Sequence, residues 1–580
     1  MLGIVGSASI RDVWTIDPDA AAYVTLARNM ASGDGYSLDA VPHGKYPPGL
    51  PTLLAGVISV AGPEAYRAFH LVLVAALLIA IVGTFRLARS LGLEGLLALA
   101  LALTLGLSET LAELSLRYLR TEVLFLALSV WAALALGKAL STSGRWTHAA
   151  VAALLIVAAM ATRLAGVTLL AIPALHLLRP VAGSGGRRRA ALILIVAGLA
   201  LLAWMARGQQ IRADHPTAPD YSAELVAAAP RDLTKTVPLD MPHLDAAGFA
   251  QRVAGNLDVF ARASAVLLTN VDRAGGQLAV GALAVGLLLA GLLRMARGGA
   301  ATDDDSASSS NRDGACYVLA TLGLYLVWPF NQQERFYVPL LPWLLVAAGH
   351  GFVLAWRLVA RIGSAPIGRL AVTLALAAMT AALATRSSRF PTVLGRWSTG
   401  YAGLLVACAF GTVAIGFILH RRRGLPSLVP AVALAAPLLF APSWGNFVLR
   451  LWPAQQAEFS ARRVAEPVSG PLARIDVNPV LEQLALHIAT TTPDDTVLMI
   501  DVPKIMAVIA ERRCVPFTYR TDPPEVVVGD ADLVFYTREL PEVAALMDTC
   551  ADDFDLALEL RPIDIGDGNV LKPKLYSVRD

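Results

Sequence analysis

Charged residues are scarce in this chain of 580 residues, where Asp, Glu, Lys and Arg together make up only 16%. Soluble globular domains carry roughly 25% charged residues, so this composition excludes an ordinary soluble enzyme. It also excludes a disordered chain, which needs low hydrophobicity and high charge. Hydrophobic residues make up 56% of the sequence, mostly Leu, Ala and Val in long runs. This pattern predicts many membrane-spanning helices rather than a β-barrel.

Metal and nucleotide motifs are also missing. The four cysteines form no CxxC pair and no His/Cys cluster with zinc spacing. The polar C-terminal region contains neither GxGxxG nor GxxxxGK[ST], so nothing there indicates a nucleotide site. No nucleic-acid partner is expected. Cys514 and Cys550 lie in this region and can pair if it is outside the cell.

Twelve apolar runs approach the length of about 17–25 residues that crosses a bilayer. They lie at 70–88, 93–108, 121–138, 149–162, 164–179, 190–207, 277–294, 315–330, 336–358, 369–385, 400–419 and 426–444. Basic residues recur in alternate connections, from Arg86 and Arg89 to the run Arg421 to Arg423. The positive-inside rule places these connections in the cytoplasm. The remaining connections then lie on the outer face of the cytoplasmic membrane.

This orientation divides the chain into three regions. Residues 1–69 form an outer-face first loop with interfacial helices, and 70–445 form the transmembrane domain. That domain includes an outer-face loop at 208–276 and a polar cytoplasmic linker at 295–313. Residues 446–580 form an extracytoplasmic domain.

The last region changes character and predicts a small α/β domain. Buried strands are expected at 497–501, 532–536 and 556–560, with helices at 503–513 and 541–548. The predicted fold class is therefore a polytopic α-helical membrane protein of about 12–13 spans that carries this domain. At the other end, Met1–Ile10 is too short to span and lacks the basic start of a signal peptide. Either the N-terminus is translocated bare, or a thirteenth span precedes this sequence.

The first outer loop contains two features that are unusual beside a membrane. Asp17 and Asp19 precede residues 20–30, whose apolar spacing predicts an amphipathic helix lying in the interface. A carboxylate there is either an N-cap or a functional group. Lys45 lies in a loop that prolines make rigid, where a lysine either snorkels or binds an anion.

Three further ionisable residues, Glu122, Arg163 and Arg335, lie where outer connections meet apolar runs. Such residues are costly at a membrane edge, so they either anchor to headgroups or belong to a site. An arginine binds phosphate through its planar fork. Transfer of a sugar from a lipid phosphate needs such cations and a carboxylate base. A transporter can hold similar groups, so residue types alone leave both functions open.

The order of the outer-face motifs resembles a known family. The motifs are Asp19-x3-Tyr23, Ala27-Arg28-Asn29, Gly33-Asp34-Gly35-Tyr36, Tyr46-Pro47-Pro48-Gly49, Arg120-Thr121-Glu122, Thr162-Arg163 and Arg335-Phe336-Tyr337-x-Pro339. Over residues 15–360 the chain is similar to GT-C fold glycosyltransferases. It resembles in particular the bacterial relatives of protein O-mannosyltransferases and of the lipid A aminoarabinose transferases.

The resemblance implies a function and two catalytic carboxylates. The protein would transfer a sugar, with inversion, from a polyprenyl-phosphate donor to a protein, lipid or glycan acceptor. Asp19 would act as the base, and Glu122 would orient the acceptor or bind a metal. Some members use a divalent metal, but this sequence assigns no ligand set for one.

The resemblance also implies groups that bind the substrates. Arg335, Arg163 and Lys45 would hold the donor phosphate, and Tyr23 and Tyr46 would contact the acceptor or donor. The family often has Lys-Pro-Pro, so the insertion of Tyr46 displaces Lys45 by one residue. Two other functions stay open: a transporter or lipid flippase, which predicts internal repeats, and a non-catalytic relative. No internal repeat is evident.

Overall fold

The structure is a computed structural model that describes residues 14–38, 41–178, 184–215, 244–269, 277–297, 305–329, 334–362, 452–465 and 479–493, with shorter pieces up to residue 578. Several sequence-based predictions lie outside the described residues. They are the spans 369–385 and 400–419, all but the last residue of 426–444, the segment Met1–Ile10, the helix 541–548 and Cys550. The predicted helix 503–513 lies outside them except for Arg513.

Helices form most of the described chain up to residue 362. They are α1 Pro18–Ser32, α2 Gly49–Ala61, α3 Tyr66–Ser90, α4 Gly95–Gly106, α5 Glu109–Leu116, α6 Glu122–Leu140, α7 Trp146–Thr162, α8 Ala171–Leu178, α9 Ser184–Asp214, α10 Ala246–Thr269, α11 Gln277–Ala296, α12 Asp305–Val327, α13 Glu334–Tyr337 and α14 Leu341–Ile362. A 3₁₀ helix, Leu164–Leu170, joins α7 to α8. Every predicted span between residues 70 and 358 therefore contains a helix.

Four helices in the described part of the chain are long and apolar enough to cross a membrane. They are Tyr66–Ser90, Glu122–Leu140, Gly185–Asp214 and Glu334–Ala355. α4 and α5 together form a fifth candidate, bent by 49°. At the bend the Ser108 side chain accepts a hydrogen bond from the Leu111 backbone N–H and so caps α5 as a new helix. The chain is thus a multi-pass membrane protein, and the predicted helical fold class is confirmed.

Glycines let neighbouring helices approach closely in this bundle. A Cβ on Gly291 of α11 would overlap the Ala347 carbonyl of α14, and one on Gly351 would overlap the Leu287 carbonyl. The backbones of α11 and α14 are therefore in direct contact. Without a hydrophobic effect between helices in lipid, such close contact is a main source of helix association.

The prediction of a linker at 295–313 is wrong for residues 305–313, because these residues form the first part of α12. Asn311 and Asp313 are buried, and Asp313 Oδ2 lies 2.9 Å from His176 Nε2 of α8. Short polar residues favour loops because they compete with the backbone for hydrogen bonds. Here Asp313 has a partner on another helix, which tertiary packing alone provides.

The chain has short strands in several places, and most of those in the C-terminal region form a mixed sheet beside two helices. The described strands of the chain are β1 Trp14–Thr15, β2 Ser37–Leu38, β3 Val41–Pro42, β4 Thr236–Pro238, β5 Ile475–Asp476, β6 Val497–Ile500, β7 Arg513–Thr521, β8 Pro524–Val526, β9 Leu533–Tyr536, β10 Phe554–Glu559, β11 Ile563–Asp564, β12 Val570–Leu571 and β13 Lys574–Val578. The helices are α15 Trp452–Ala465 and α16 Pro479–Thr491. In the main sheet β6 lies between β7 and β9 and is parallel to both, while β13 is antiparallel to β9 and β10. The strands predicted at 497–501, 532–536 and 556–560 are confirmed.

The first loop and the C-terminal region share one hydrophobic core. β1 pairs in parallel with β5, with Trp14 opposite Ile475. The apolar side of α1 belongs to the same cluster of buried residues as Leu484 and Ile488 of α16. The helix predicted at 20–30 is therefore present, and its apolar side chains are covered by protein.

Candidate active site

One open cavity of about 690 Å³ lies where α1, α7 and α13 meet the loop before α2. Its lining includes every predicted site residue except Glu122, namely Asp19, Tyr23, Lys45, Tyr46, Arg163 and Arg335. Residues that are far apart in the sequence are thus brought together around one space.

The two aspartates before α1 have different partners. Asp17 is the N-cap, and its Oδ1 accepts the backbone N–H groups of Asp19 and Ala20 at 3.1 and 3.3 Å. Its Oδ2 also accepts from Arg120 Nε at 3.0 Å, which ties the first loop to the chain before α6. Because Asp17 accepts the free N–H groups at the start of α1, Asp19 does not act as the cap. The Asp19 side chain faces the cavity instead.

Both oxygens of Asp19 are engaged by groups of the site. Tyr46 donates its hydroxyl to Oδ1 at 2.9 Å, and Arg335 NH2 lies 2.5 Å from Oδ2. The Asp19 side chain is 16% exposed, so it is reached from the cavity rather than from open solvent. The carboxylate is therefore held in one orientation at the cavity wall.

Glu122 lies behind the cavity wall at the start of α6 and is fully buried. Its Oε1 is shared by two guanidinium groups, Arg163 NH1 at 2.9 Å and Arg335 Nε. Arg163 NH1 also donates to Thr121 Oγ1 at 3.0 Å. A buried charge needs a partner to offset its desolvation, and Glu122 provides that partner for both arginines. Its contacts are thus those of a group that positions Arg163 and Arg335.

Lys45 is buried against aromatic rings. Its Nζ lies 5.6 Å from the centre of the Tyr46 ring and 5.4 Å from that of Tyr221. Both distances are within the range of cation–π attraction. The loop itself is fixed from two sides, since the Tyr46 N–H donates to His43 Nε2 and the Tyr36 hydroxyl donates to the Tyr46 carbonyl.

Tyr23 is a neutral hydroxyl beside the Asp19 carboxylate. Burial, together with the negative charge of Asp19, raises the pKa of Tyr23 well above its usual value. Its ring meets the edge of the Tyr46 ring, with the centres 5.3 Å apart. The protonated phenol is therefore available to donate a hydrogen bond at physiological pH.

The balance of charge favours an anionic ligand. Three cations, Lys45, Arg163 and Arg335, surround two carboxylates, Asp19 and Glu122, which leaves an excess of one positive charge. Two of the cations are guanidinium groups, which bind phosphate oxygens in a bidentate manner. The arrangement can bind a phosphate next to a carboxylate that accepts a proton.

The structure adds residues that the sequence did not single out. Tyr221, Tyr325 and Trp328 also line the cavity. Asn256 of α10 donates its side-chain amide to the carbonyl of Leu326, in the last turn of α12, at 2.9 Å, and to that of Trp328, just past the end of this helix, at 2.8 Å. These carbonyls are left unpaired when a helix ends. The sequence predicts an outer-face loop at 208–276, and a single asparagine within it carries no signal for such a contact.

The described residues of the site do not fit a divalent metal. Among the described residues there is no group of three His, Cys, Asp or Glu side chains that could hold one. Both carboxylates of the site contact Arg335, so its guanidinium group takes the place between them. Hard divalent cations require several oxygen ligands, and here one oxygen of each carboxylate is paired with a cation of the protein itself.

An apolar groove of about 720 Å³ adjoins the cavity and shares Pro47 and Leu164 with it. The other lining residues lie on α7, on α9 and at the start of α2; they include Val157, Met160, Ala200, Leu201 and Trp204. Arg207 lies at the same groove and is exposed. A polar cavity therefore continues directly into apolar surface between two helices.

Solved structures with a similar fold include ArnT from Cupriavidus metallidurans. The structure of ArnT bound to undecaprenyl phosphate is 13% identical and matches 99% of this chain and 96% of its own, with a TM-score of 0.51. Its apo state matches the same shares at 13% identity with a TM-score of 0.52. The oligosaccharyltransferase of Archaeoglobus fulgidus, tethered with an acceptor peptide, is 13% identical over 94% of this chain and 67% of its own, with a TM-score of 0.44. No family model matches the sequence, and no curated protein matches it.

The similarity to ArnT concerns the fold and extends over nearly the whole chain. The predicted GT-C fold is thereby confirmed for this protein.

Proposed function

We propose that this protein is a glycosyltransferase that moves a sugar from a polyprenyl-phosphate donor to a hydroxyl of an acceptor. The reaction takes place on the outer face of the cytoplasmic membrane, with the C-terminal domain on the same side. The basic residues of alternate connections support this orientation. The GT-C fold and the structure of ArnT with undecaprenyl phosphate support a donor of this class.

The observation that carries the proposal is the junction of the charged cavity with the apolar groove. A polyprenyl-phosphate sugar has a charged phosphate between a sugar and a long hydrocarbon tail. The three cations of the cavity match the phosphate, and the groove between α7 and α9 matches the start of the tail. Pro47 and Leu164 belong to both spaces, so one ligand can occupy them together.

The reaction follows from the placement of Asp19. The acceptor oxygen attacks the anomeric carbon of the sugar, while the bond from that carbon to the phosphate oxygen breaks on the opposite side. The acceptor proton passes to the Asp19 carboxylate, and the electron pair of the broken bond leaves with the polyprenyl phosphate. General base catalysis of this kind contributes about 10²–10⁴-fold to a rate.

The cations act on the leaving group. Arg163 and Arg335 are held beside the cavity by Glu122, so they are oriented before the substrate arrives. Preorganised charge of this kind stabilises the negative charge that develops on a phosphate oxygen. When a phosphate becomes the partner of Arg335, Asp19 Oδ2 loses its closest cation and becomes a better proton acceptor. Donor binding and activation of the base are thereby linked.

The test is the variant Asp19→Asn, assayed in membranes with polyprenyl-phosphate sugars from a lipid extract. We expect transfer to fall at least about 100-fold, because an amide cannot accept the proton. Asp34→Asn is the matched control, since Asp34 is an exposed aspartate of the same loop that contacts Ser32. Full transfer by Asp19→Asn at a normal protein level would disprove the role of Asp19.

A further inference from the structure

A second large cavity lies at the end of the helices opposite to Asp19. It measures about 1110 Å³, against about 690 Å³ for the cavity at Asp19. We propose that this cavity binds the phosphate headgroup of an anionic membrane lipid. The site is separate from the proposed transfer reaction and does not depend on it.

The position of the cavity follows from α6, which connects the two ends. This helix begins at Glu122, beside the first cavity, and its last turn, including Lys138, lines the second. Its 19 residues rise by about 28 Å at about 1.5 Å per residue. The hydrocarbon core of a bilayer is about 30 Å thick, so the second cavity lies at the level of the headgroups of the opposite leaflet.

The lining combines a charged rim with apolar walls. Arg89 at the end of α3 and Lys138 near the end of α6 are both exposed at the cavity. Leu87, Leu134 and Ile172 form part of its walls. Phosphate groups bind to such cations, and acyl chains pack against such walls. Basic pockets between membrane helices on the cytoplasmic side bind anionic headgroups in this way.

An aromatic side chain also forms part of the cavity wall. Trp343 of α14 lines the cavity, and its side chain is 2% exposed. The indole ring extends the apolar walls of the cavity.

One carboxylate, Asp313, lies in the same lining and must be included in the charge balance. Its Oδ2 is hydrogen-bonded to His176 Nε2 at 2.9 Å, so that oxygen is directed at α8. The two cations Arg89 and Lys138 outnumber this single carboxylate. The cavity therefore retains a positive excess, and an anion is the ligand that it favours.

The test uses the purified full-length protein and native mass spectrometry with phosphatidylglycerol, phosphatidylcholine or inorganic phosphate. We expect one phosphatidylglycerol per chain to bind at least tenfold more tightly than phosphatidylcholine or inorganic phosphate. The double variant Arg89→Gln with Lys138→Gln should weaken this binding at least tenfold. Glutamine at position 89 retains an amide that can donate to the Leu93 carbonyl, the present partner of Arg89.

The matched control is the double variant Arg187→Gln with Arg188→Gln. It removes the same charge from exposed positions at the start of α9, outside the cavity lining. We expect its affinity for phosphatidylglycerol to stay within twofold of the native value. Equal losses in the two double variants would overturn the site, because general attraction of lipid to basic residues would then explain the binding. Equal affinity for inorganic phosphate would overturn the assignment to a lipid.

Discussion

Asp17 and Asp19 are two residues apart, yet only one of them faces the cavity. The difference comes from the helix start, where the N-cap position is taken by Asp17 and followed by Pro18, which has no N–H to satisfy. The Asp19 side chain is left to contact Tyr46 and Arg335. The sequence left open which aspartate caps the helix. The backbone geometry at the first turn of α1 shows that the N-cap is Asp17.

Glu122 lies outside the cavity lining but holds two cations of the site, so its removal should affect both stability and transfer. Glu122→Gln leaves Arg163 and Arg335 without their shared counterion. Breaking a buried ion pair by removing one partner costs about 3–5 kcal/mol. We expect a clear fall in the melting temperature of the purified protein, together with loss of transfer.

Glu113→Gln is the control for this variant. Glu113 pairs with Arg117 at 2.9 Å, but the two side chains are 35% and 24% exposed. Exposed pairs contribute about 0.2–1 kcal/mol, so the melting temperature should hardly change. If both variants melt at the same temperature, Glu122 is not the anchor that its contacts indicate.

At the scale of elements, α2 is held against the end of α7 by a glycine. A Cβ on Gly49 would lie 2.7 Å from the Ala161 carbonyl oxygen and 2.8 Å from Thr162 Oγ1. These atoms immediately precede Arg163. The close approach therefore connects the loop of Lys45 and Tyr46 with the arginine on the other side of the cavity.

Gly49→Ala should push α2 away from α7. Overpacking of this kind costs about 1–3 kcal/mol, and it should also displace the loop of Lys45. We expect a lower melting temperature and weaker donor binding, measured as an increased KM for the polyprenyl-phosphate sugar.

The same helix offers the control Gly56→Ala. A Cβ on Gly56 meets no atom within 4 Å, and alanine is favoured over glycine in a helix by about 1 kcal/mol. This variant should be at least as stable as the native protein, with an unchanged KM. A raised KM in both variants would show that the contact of Gly49 with α7 is not what holds the loop.

At the scale of the whole molecule, the first loop and the C-terminal region are joined through α1 and α16. The boundaries at residues 69 and 446 stay predictions, but the core between these regions is continuous. Since α1 carries Asp19, the C-terminal region helps to fix the proposed base.

Leu484→Ala tests this coupling. Leu484 is fully buried, and truncation of such a leucine costs about 2–5 kcal/mol. We expect faster amide hydrogen exchange in α16 and also in α1, residues 18–32. Thr490→Ala, at an exposed position of α16, should change neither helix. Faster exchange confined to α16 would contradict a shared core.

The sequence by itself determined the membrane class, a helix in each predicted span between 70 and 358, three C-terminal strands and the candidate residues. These features depend on composition, on local periodicity and on the order of motifs, all of which are readable along the chain. The helical start of α12 was missed, because the partner that makes Asp313 acceptable in a helix lies on α8.

Only the tertiary structure decided how the candidate residues are arranged. Glu122 and Arg335 are separated by 213 positions, and their pairing depends on how α6 and α13 pack. The same packing puts Asp19 in the cavity wall, Glu122 behind it, and a guanidinium group between the two carboxylates. Long-range contacts of this kind have no local signature, since they are set by the geometry of packed helices rather than by neighbouring residues.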